Sequence, residues 1–361
     1  MSADHVPLGG NRRDRVLAAV TSAAVVFAAR LWVSRGHEQF AVWPDEPAQL
    51  AIARFVGGGT RWNMHNHSVW RPLFGTLLSP IHWFTDDPAT VLQAAFVLNA
   101  VLGALAAVLM VVLVRRLTSM SAWWSAVGAT LVSLSPAVLL TSNFVFSESL
   151  VLPAYLATLV AVLRFHDAPS LRRAALAGVL AGVAFGAHSR MLPLAVAVVG
   201  MVVFALVRRR LTWYEAAAGV AVTIVSILSM VLYTSWLVDQ LWNVPSDTNS
   251  VGEVMDQASN GPALIVSLVG QTWSLLVASV GVIAYGAVAL VRSALGVTVS
   301  TGAHVDTPDL GPSGAAGRVS DDRSGLQRAD AIIVLLVAAA CIGLSVAFMS
   351  DRFRSDQLVY G

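Results

Sequence analysis

The sequence contains no lysine and a single cysteine, and charged residues make up only 12% of its 361 positions. A water-soluble domain carries about 25% charged residues, so this composition argues against a chain of soluble domains. The lone Cys341 excludes an internal disulfide and a cysteine-based metal site. The formal net charge of +2 gives no reason to expect nucleic acid as a partner.

Hydrophobic residues are abundant, at 56% of the chain, and they are collected in long runs. Because a helix needs about 20 apolar residues to cross a bilayer, these runs predict an all-α fold, a polytopic transmembrane helix bundle of about nine spans. The predicted spans are Val16–Val33, Pro88–Val114, Ala122–Leu140, Leu150–Leu163, Ala174–Ala187, Leu192–Val207, Trp213–Leu237, Ala263–Val291 and Ala329–Met349.

The distribution of arginine along the chain predicts the orientation of the protein in the membrane, since basic residues are enriched in cytoplasmic loops. Fifteen of the 23 arginines fall in alternate connections, which places the N-terminus in the cytoplasm. The predicted organisation is a cytoplasmic tail at 1–15, a transmembrane core at 16–291 with an outer loop at 34–87, a disordered cytoplasmic linker at 292–328, and a last span with an outer tail at 329–361.

The first outer loop carries two adjacent carboxylates, Asp45 and Glu46, between two prolines. Pro47 suits the first turn of a helix, so we expect Asp45 or Glu46 to be its N-cap. The apolar residues that follow predict an interfacial helix, and Leu73–Phe84 predicts a second one that is too short to span. A helix N-terminus favours an ionised carboxylate, desolvation opposes it, and the sequence does not decide between them.

Other polar residues occur beside apolar runs on the predicted outer side. Glu148 is either a wetted helix end or a cavity carboxylate. His188 and Arg190 lie in the turn between two spans, and Arg352 and Arg354 lie in the tail. Arginine is disfavoured on the outer side, so these positions predict phosphate ligands, with snorkelling and a solvated tail as the alternatives.

Tryptophan and histidine crowd the first outer loop, where we expect them to line the acceptor side of a site: Trp62, Trp70, His65 and His67. Tryptophan belongs at membrane interfaces, and it also offers a stacking face for sugars. Two histidines without a defined carboxylate partner do not predict a protein-bound metal, and a divalent cation stays open as a cofactor. Gly178, Gly182 and Gly186 predict close helix packing.

The order of these features resembles the GT-C class of integral-membrane glycosyltransferases. A first span is followed by an outer loop that opens with Trp43-Pro44-Asp45-Glu46, an interfacial helix, a span ending in Arg115-Arg116, and Ser147-Glu148 opening a later span. The resemblance covers roughly residues 12–240. Within this class, the sequence is similar in particular to the branch that contains protein O-mannosyltransferases and lipid A aminoarabinose transferases.

The resemblance implies a polyprenyl-phosphate-linked sugar as donor and transfer on the extracytoplasmic side of a bacterial plasma membrane. By position it implies that Asp45 is the base that activates the acceptor, with Glu46 as its neighbour. We expect membrane lipids as further partners. Because members usually have more spans, the end at Tyr360-Gly361 leaves open that the sequence is a fragment. A transporter or lipid flippase and a non-catalytic envelope protein remain as alternative functions.

Overall fold

The fold described here comes from a computed structural model of the chain. The structure describes residues 11–39, 45–62, 64, 71–118, 120–140, 143–242, 265, 268–270, 282–295 and 327–343. Most of these residues are helical and none forms a β-strand, although an isolated bridge joins Met64 to Trp242. The all-α prediction is confirmed for this part of the chain.

In chain order, the elements with described bounds are twelve α-helices and two short 3₁₀ turns, and residues 265 and 268–270 are also helical. The 3₁₀ turns are Ser79–Trp83 and Ser189–Met191. The helices are α1 Arg12–Val33, α2 Asp45–Val56, α3 Leu73–Leu78, α4 Pro88–Leu117, α5 Ala122–Ser133, α6 Pro136–Leu140, α7 Glu148–Asp167, α8 Leu171–Ala187, α9 Leu192–Val207, α10 Trp213–Leu241, α11 Val282–Ala294 and α12 at 327–343.

The long helices run up and down, so their connections gather at two ends of the bundle. Helix α4 packs against α1, α5 and α7, and α8 packs against α7, α9 and α10. We call one end the α2 end; it holds α2, α3, the start of α7, the turn between α8 and α9, and the end of α10. The opposite end, the arginine end, holds the Arg-rich connections between α4 and α5, α7 and α8, and α9 and α10.

Five of the described helices are long and apolar enough to cross a membrane: α1, α4, α7, α10, and α9 taken with the 3₁₀ turn before it. The predicted count of nine spans is not confirmed. The predicted span Ala122–Leu140 is instead two helices, α5 and α6, that break just before Pro136. A residue that precedes proline is disfavoured in the α region, which explains why one helix does not continue through the break.

The two remaining differences concern short or partly described segments. Helix α8 covers the predicted span Ala174–Ala187, but its 17 residues make it shorter than the five candidate spans. Most of the predicted span Ala263–Val291 lies outside the described residues, as does the end of Ala329–Met349.

Helix α2 forms as predicted, but protein surrounds most of it. Its residues from Ala48 to Ala53 are all buried, and Leu50 and Ala53 contribute to a core cluster with Phe74 and Phe96. The predicted interfacial position of α2 and of Leu73–Phe84 is therefore not confirmed. Helix α2 begins at Asp45, so Asp45 and Glu46 are the first two residues of the helix and do not precede it.

The glycines of α8 allow α10 to approach closely, as the sequence predicted. A Cβ atom at Gly178 would lie 2.5 Å from Thr223 Oγ1, and one at Gly182 would lie 2.5 Å from Ser226 Cβ. A Cβ atom at Gly186 would meet Leu73 and Met230 at 2.6 Å. The stripe of glycine therefore brings α8, α10 and the start of α3 together.

At the arginine end, Arg116 ties three helices together. Its guanidinium donates to both carboxylate oxygens of Asp330 and to both of Asp167, at 2.6–2.9 Å, and to the carbonyl of Leu163 at 3.0 Å. Asp330 is only 1% exposed, so α12 is held to α4 and α7 by a buried ion pair. Close by, Arg328 Nε donates to the carbonyl of Ala294 at 2.7 Å, which joins the start of α12 to the end of α11.

Replacing Gly178 by alanine tests the close approach of α8 and α10. The added methyl group would collide with Thr223, and overpacking of this kind costs about 1–3 kcal/mol. We expect Gly178→Ala to lower the thermal unfolding midpoint of the detergent-purified protein. The matched control is Gly200→Ala in α9, where a Cβ atom meets nothing within 4 Å. Equal midpoints for the two variants would contradict the packing described.

Candidate functional site

Helix α2 is held at its end of the bundle by one buried glutamine. Gln49 Oε1 accepts a hydrogen bond from the Gly75 amide at 2.8 Å, and its Nε2 donates to the Arg71 carbonyl at 3.2 Å. Gly75 is required here because a Cβ atom would lie 2.5 Å from the carbonyl oxygen of Gln49. Helix α2 is therefore fixed against α3 and against the chain that enters α3.

Glu46 lies one turn before Gln49 and is also buried, at 1% exposure. Its Oε1 accepts a hydrogen bond from the Val145 amide at 3.0 Å, whereas its Oε2 has no hydrogen-bond partner. Glu46 therefore connects α2 to the segment that leads into α7.

Burial shifts the pKa of Glu46. Loss of hydration raises the pKa of this carboxyl above its ordinary value, and the hydrogen bond from Val145 opposes that shift with a smaller effect. The sequence left open whether the helix terminus or desolvation would dominate, and for Glu46 desolvation does.

Asp45, the residue expected to be the base, is the first residue of α2. Its backbone is described, but its side chain lies outside the described residues, as do His65, His67, Trp70, Arg352 and Arg354. Their expected roles remain predictions.

Trp62 and Glu148 are both described, and both are exposed. The Arg54 guanidinium lies over the Trp62 ring, 5.5 Å from the ring centroid, and Trp62 is 40% exposed. Glu148 is the first residue of α7, and its carboxylate accepts a long hydrogen bond of 3.4 Å from the Ser147 hydroxyl. Because Val145 contacts Glu46, the start of α7 lies beside α2, although no direct contact joins the carboxylates of Glu46 and Glu148 in the described part.

The turn between α8 and α9 brings a histidine and two arginines together. Extended backbone at His188 ends α8, and its Nδ1 accepts a hydrogen bond from the Arg190 amide at 3.1 Å. The Arg71 guanidinium lies over the ring of Phe185, one turn before His188, with its carbon 4.1 Å from the ring centroid. We call Arg71, His188 and Arg190 the cationic cluster.

Burial, with the charges of Arg190 and Arg71, lowers the pKa of His188 to about 4. His188 is therefore neutral near pH 7, and the positive charge of the cationic cluster comes from the two arginines. Since Nδ1 accepts a hydrogen bond, the neutral ring carries its proton on Nε2, which makes that atom a donor. His188 and Arg190 are in contact, and His188 contributes no charge; the expected role of both as phosphate ligands stays a prediction.

Sequence reasoning missed Arg71, although a signal for it was present. Arg71 lies in the predicted outer loop, where the rule that singled out Arg190 applies equally. The Arg71 carbonyl binds Gln49, so the cationic cluster and the first turn of α2 lie on the same side of the bundle.

The pH dependence of stability tests the burial of Glu46. Burial favours the protonated carboxyl in the fold, so the folded chain keeps this proton to higher pH than the unfolded chain does. The stability contributed by Glu46 is full at low pH and falls as pH rises from the ordinary value of 4.5 toward the folded pKa. We expect the unfolding midpoint of Glu46→Gln, relative to wild type, to rise over that interval.

The matched control for this experiment is Gln49→Leu. Gln49 is buried on the same helix but does not titrate, so its midpoint difference from wild type should stay constant with pH. A constant difference for Glu46→Gln as well would show that Glu46 is not desolvated in the fold.

The comparisons with known proteins concern most of this bundle. Residues 84–243 match a family model described as dolichyl-phosphate-mannose-protein mannosyltransferase. No curated protein matches the chain. The match includes Glu148, His188 and Arg190, whereas α2 and Arg71 precede it. The resemblance to the GT-C class is therefore confirmed over residues 84–243, which match the model of a GT-C glycosyltransferase family, the one named for protein mannosyltransferases.

Proposed function

We propose that this multi-pass membrane protein moves a sugar from a polyprenyl-phosphate donor to an acceptor on the extracytoplasmic side of a bacterial plasma membrane. The acceptor is a cell-envelope glycan, a lipid or a protein. The observation that carries the proposal is the cationic cluster of Arg71, His188 and Arg190, which lies beside the helix that bears Asp45 and Glu46. The GT-C domain at 84–243 supports the reaction type.

The cationic cluster suits a phosphate leaving group. When the bond between the sugar and the phosphate oxygen breaks, the departing phosphate gains negative charge, which positive groups nearby stabilise. Burial lowers the pKa of Arg71, so its charged form would gain from an anion beside it. A neutral His188 offers one further hydrogen-bond donor without adding charge. In this proposal Arg352 and Arg354 contribute to the same phosphate site.

Of the two carboxylates in α2, Asp45 is the better base. Glu46 is buried, and one of its oxygens is bound to the Val145 amide, so an acceptor hydroxyl has little access to it. Asp45 takes the proton of the acceptor hydroxyl, the hydroxyl oxygen forms a bond to the anomeric carbon, and polyprenyl phosphate leaves. The proposed role of Glu46 is to hold the first turn of α2 in place.

The acceptor is proposed to bind on the side of the first outer loop. Trp62 and Trp70 would offer faces for a sugar, and Glu148, His65 and His67 would supply polar contacts. The exposure of Glu148 and Trp62 at the α2 end supports access from solvent. Any requirement for a divalent cation would appear as loss of transfer after treatment with a chelator.

The choice of base is tested with a labelled polyprenyl-phosphate sugar and the purified protein. Loss of a general base costs about 10²- to 10⁴-fold, so we expect Asp45→Asn to lower the rate of transfer and donor hydrolysis by that factor. Glu46→Gln keeps the acceptor for the Val145 amide and should stay within a few fold of wild type.

The matched control for Asp45→Asn is Asp86→Asn, an exposed aspartate at the same end that pairs with His82. Full activity in Asp45→Asn, or a larger loss in Glu46→Gln, removes Asp45 as the base. Absence of turnover together with substrate flux across vesicles would favour the transporter alternative.

Replacing the arginines of the cationic cluster tests the phosphate site. A charge-assisted hydrogen bond contributes about 1.5–3 kcal/mol, so Arg71→Gln and Arg190→Gln should each reduce kcat/KM for the donor by about 10- to 100-fold. Arg35→Gln is the control, since Arg35 is exposed at the same end. Equal losses in all three variants would point to general electrostatic attraction of the donor instead of a phosphate site.

A further inference from the structure

One peptide group, the one between Phe144 and Val145, is held from both sides by buried side chains. Its carbonyl accepts a hydrogen bond from Asn99 Nδ2 at 2.9 Å, and its amide donates to Glu46 Oε1 at 3.0 Å. Val145 and Asn99 are both 0% exposed, and Glu46 is 1% exposed. Neither the expected site nor the family match explains why an asparagine lies in the middle of the apolar helix α4.

The two hydrogen bonds act on each other because they share the peptide. A carbonyl that accepts a hydrogen bond makes the amide of the same peptide a stronger donor, and the effect is larger in a low-dielectric interior. A change at Asn99 would therefore weaken or misdirect the bond that Glu46 receives, although Asn99 lies on a different helix.

Asn99 is itself held firmly in place. Its backbone carbonyl accepts a hydrogen bond from Arg30 Nη1 at 3.3 Å, and Arg30 Nη2 donates to the Val138 carbonyl at 3.1 Å. The Arg30 side chain lies directly against Gly103 of α4, where a Cβ atom would collide with it. These contacts fix α1, α4 and α6 around Asn99. The Asn99 side chain can therefore hold the peptide between Phe144 and Val145 in one position.

The chemistry at this point requires a donor. The Phe144 carbonyl only accepts hydrogen bonds, so the NH₂ group of Asn99 must face it. Aspartate, which has almost the same shape, presents a carboxylate oxygen to that carbonyl at neutral pH and cannot replace the bond. Leucine fills a similar volume and offers no donor at all.

We propose that Asn99 is a positioning residue: through the peptide between Phe144 and Val145 it orients Glu46 and, with it, the first turn of α2 that carries Asp45. The link from Asn99 to Glu46 stands on the hydrogen bonds alone. Its consequence for sugar transfer rests on the proposed function. Asn99 touches neither donor nor acceptor in this proposal, and it acts only through Glu46.

A double-mutant cycle on the thermal unfolding of the detergent-purified full chain tests the link without any assay of activity. Because the two side chains share a peptide, Asn99→Leu should lower the unfolding midpoint less in a Glu46→Leu background than in wild type. The control background is Gln49→Leu, a buried residue of the same helix with other partners, in which Asn99→Leu should cost as much as in wild type. If Asn99→Leu prevents folding, Asn99→Ala takes its place in the same cycle.

The same cycle identifies the result that would overturn the proposal. Equal effects of the Asn99 substitution in the Glu46→Leu and Gln49→Leu backgrounds would show that Asn99 and Glu46 are not coupled. This outcome is independent of catalysis, so it cannot be confused with failure of the proposed function.

Where wild type transfers sugar, a second measurement follows the effect on the reaction. Asn99→Leu should lower kcat by about tenfold or more while KM for the donor stays unchanged, because the cationic cluster is not altered. In an Asp45→Asn background the same substitution should have no further effect on kcat. A rise in KM with unchanged kcat would instead assign Asn99 to donor binding and overturn the positioning role.

Discussion

The arrangement of the α2 end depends on hydrogen bonds that polar side chains make in a nearly dry interior. A buried polar group without a partner costs free energy, so each such side chain fixes the backbone that supplies its partner. Gln49 joins α2 to Gly75 and Arg71, and Glu46 joins it to Val145. Apolar packing around Leu50 and Phe74 brings the helices together, but it does not select one rotation of α2. The two polar side chains, one turn apart, make that selection.

The same two contacts relate the proposed acid–base and phosphate chemistry to each other. Through Gln49 the helix is tied to the backbone of Arg71, whose side chain belongs to the cationic cluster. Through Glu46 it is tied to the chain that begins α7. A base and a leaving-group site must keep a fixed separation for an in-line displacement, and small errors in position are costly in rate. Rigid attachment of α2 on both sides would keep the distance between the base and the leaving-group site constant.

Local pattern was enough to predict several parts of the structure. The helix after Pro47, the turn at His188 to Arg190 and the close packing along Gly178 and Gly182 follow from spacing and residue type. The exact spans were harder, because a proline such as Pro136 breaks a run that hydropathy alone treats as continuous. Exposed and buried apolar faces also look alike in a sequence that is apolar almost throughout.

The contacts that sequence could not supply join residues far apart in the chain. Glu46 and Val145 are 99 positions apart, and Asn99 and Phe144 are 45 positions apart. Nothing in the neighbourhood of Glu46 predicts that an amide of a distant loop will meet it, and so its burial and raised pKa were not foreseen. Arg71 is a different case, because the sequence showed that it lies in the predicted outer loop. Only the residues that contact it could not be predicted.

The hydrogen bond between Arg328 and the Ala294 carbonyl has an evolutionary consequence. It places the last residue of α11 and the first turn of α12 side by side, so the two ends of the segment between these helices lie close together. Lengthening a segment whose ends already meet adds little closure entropy, since that cost grows only with the logarithm of its length. Related chains should therefore tolerate differences in length between α11 and α12, and a reporter domain inserted between these two helices should leave the bundle undisturbed.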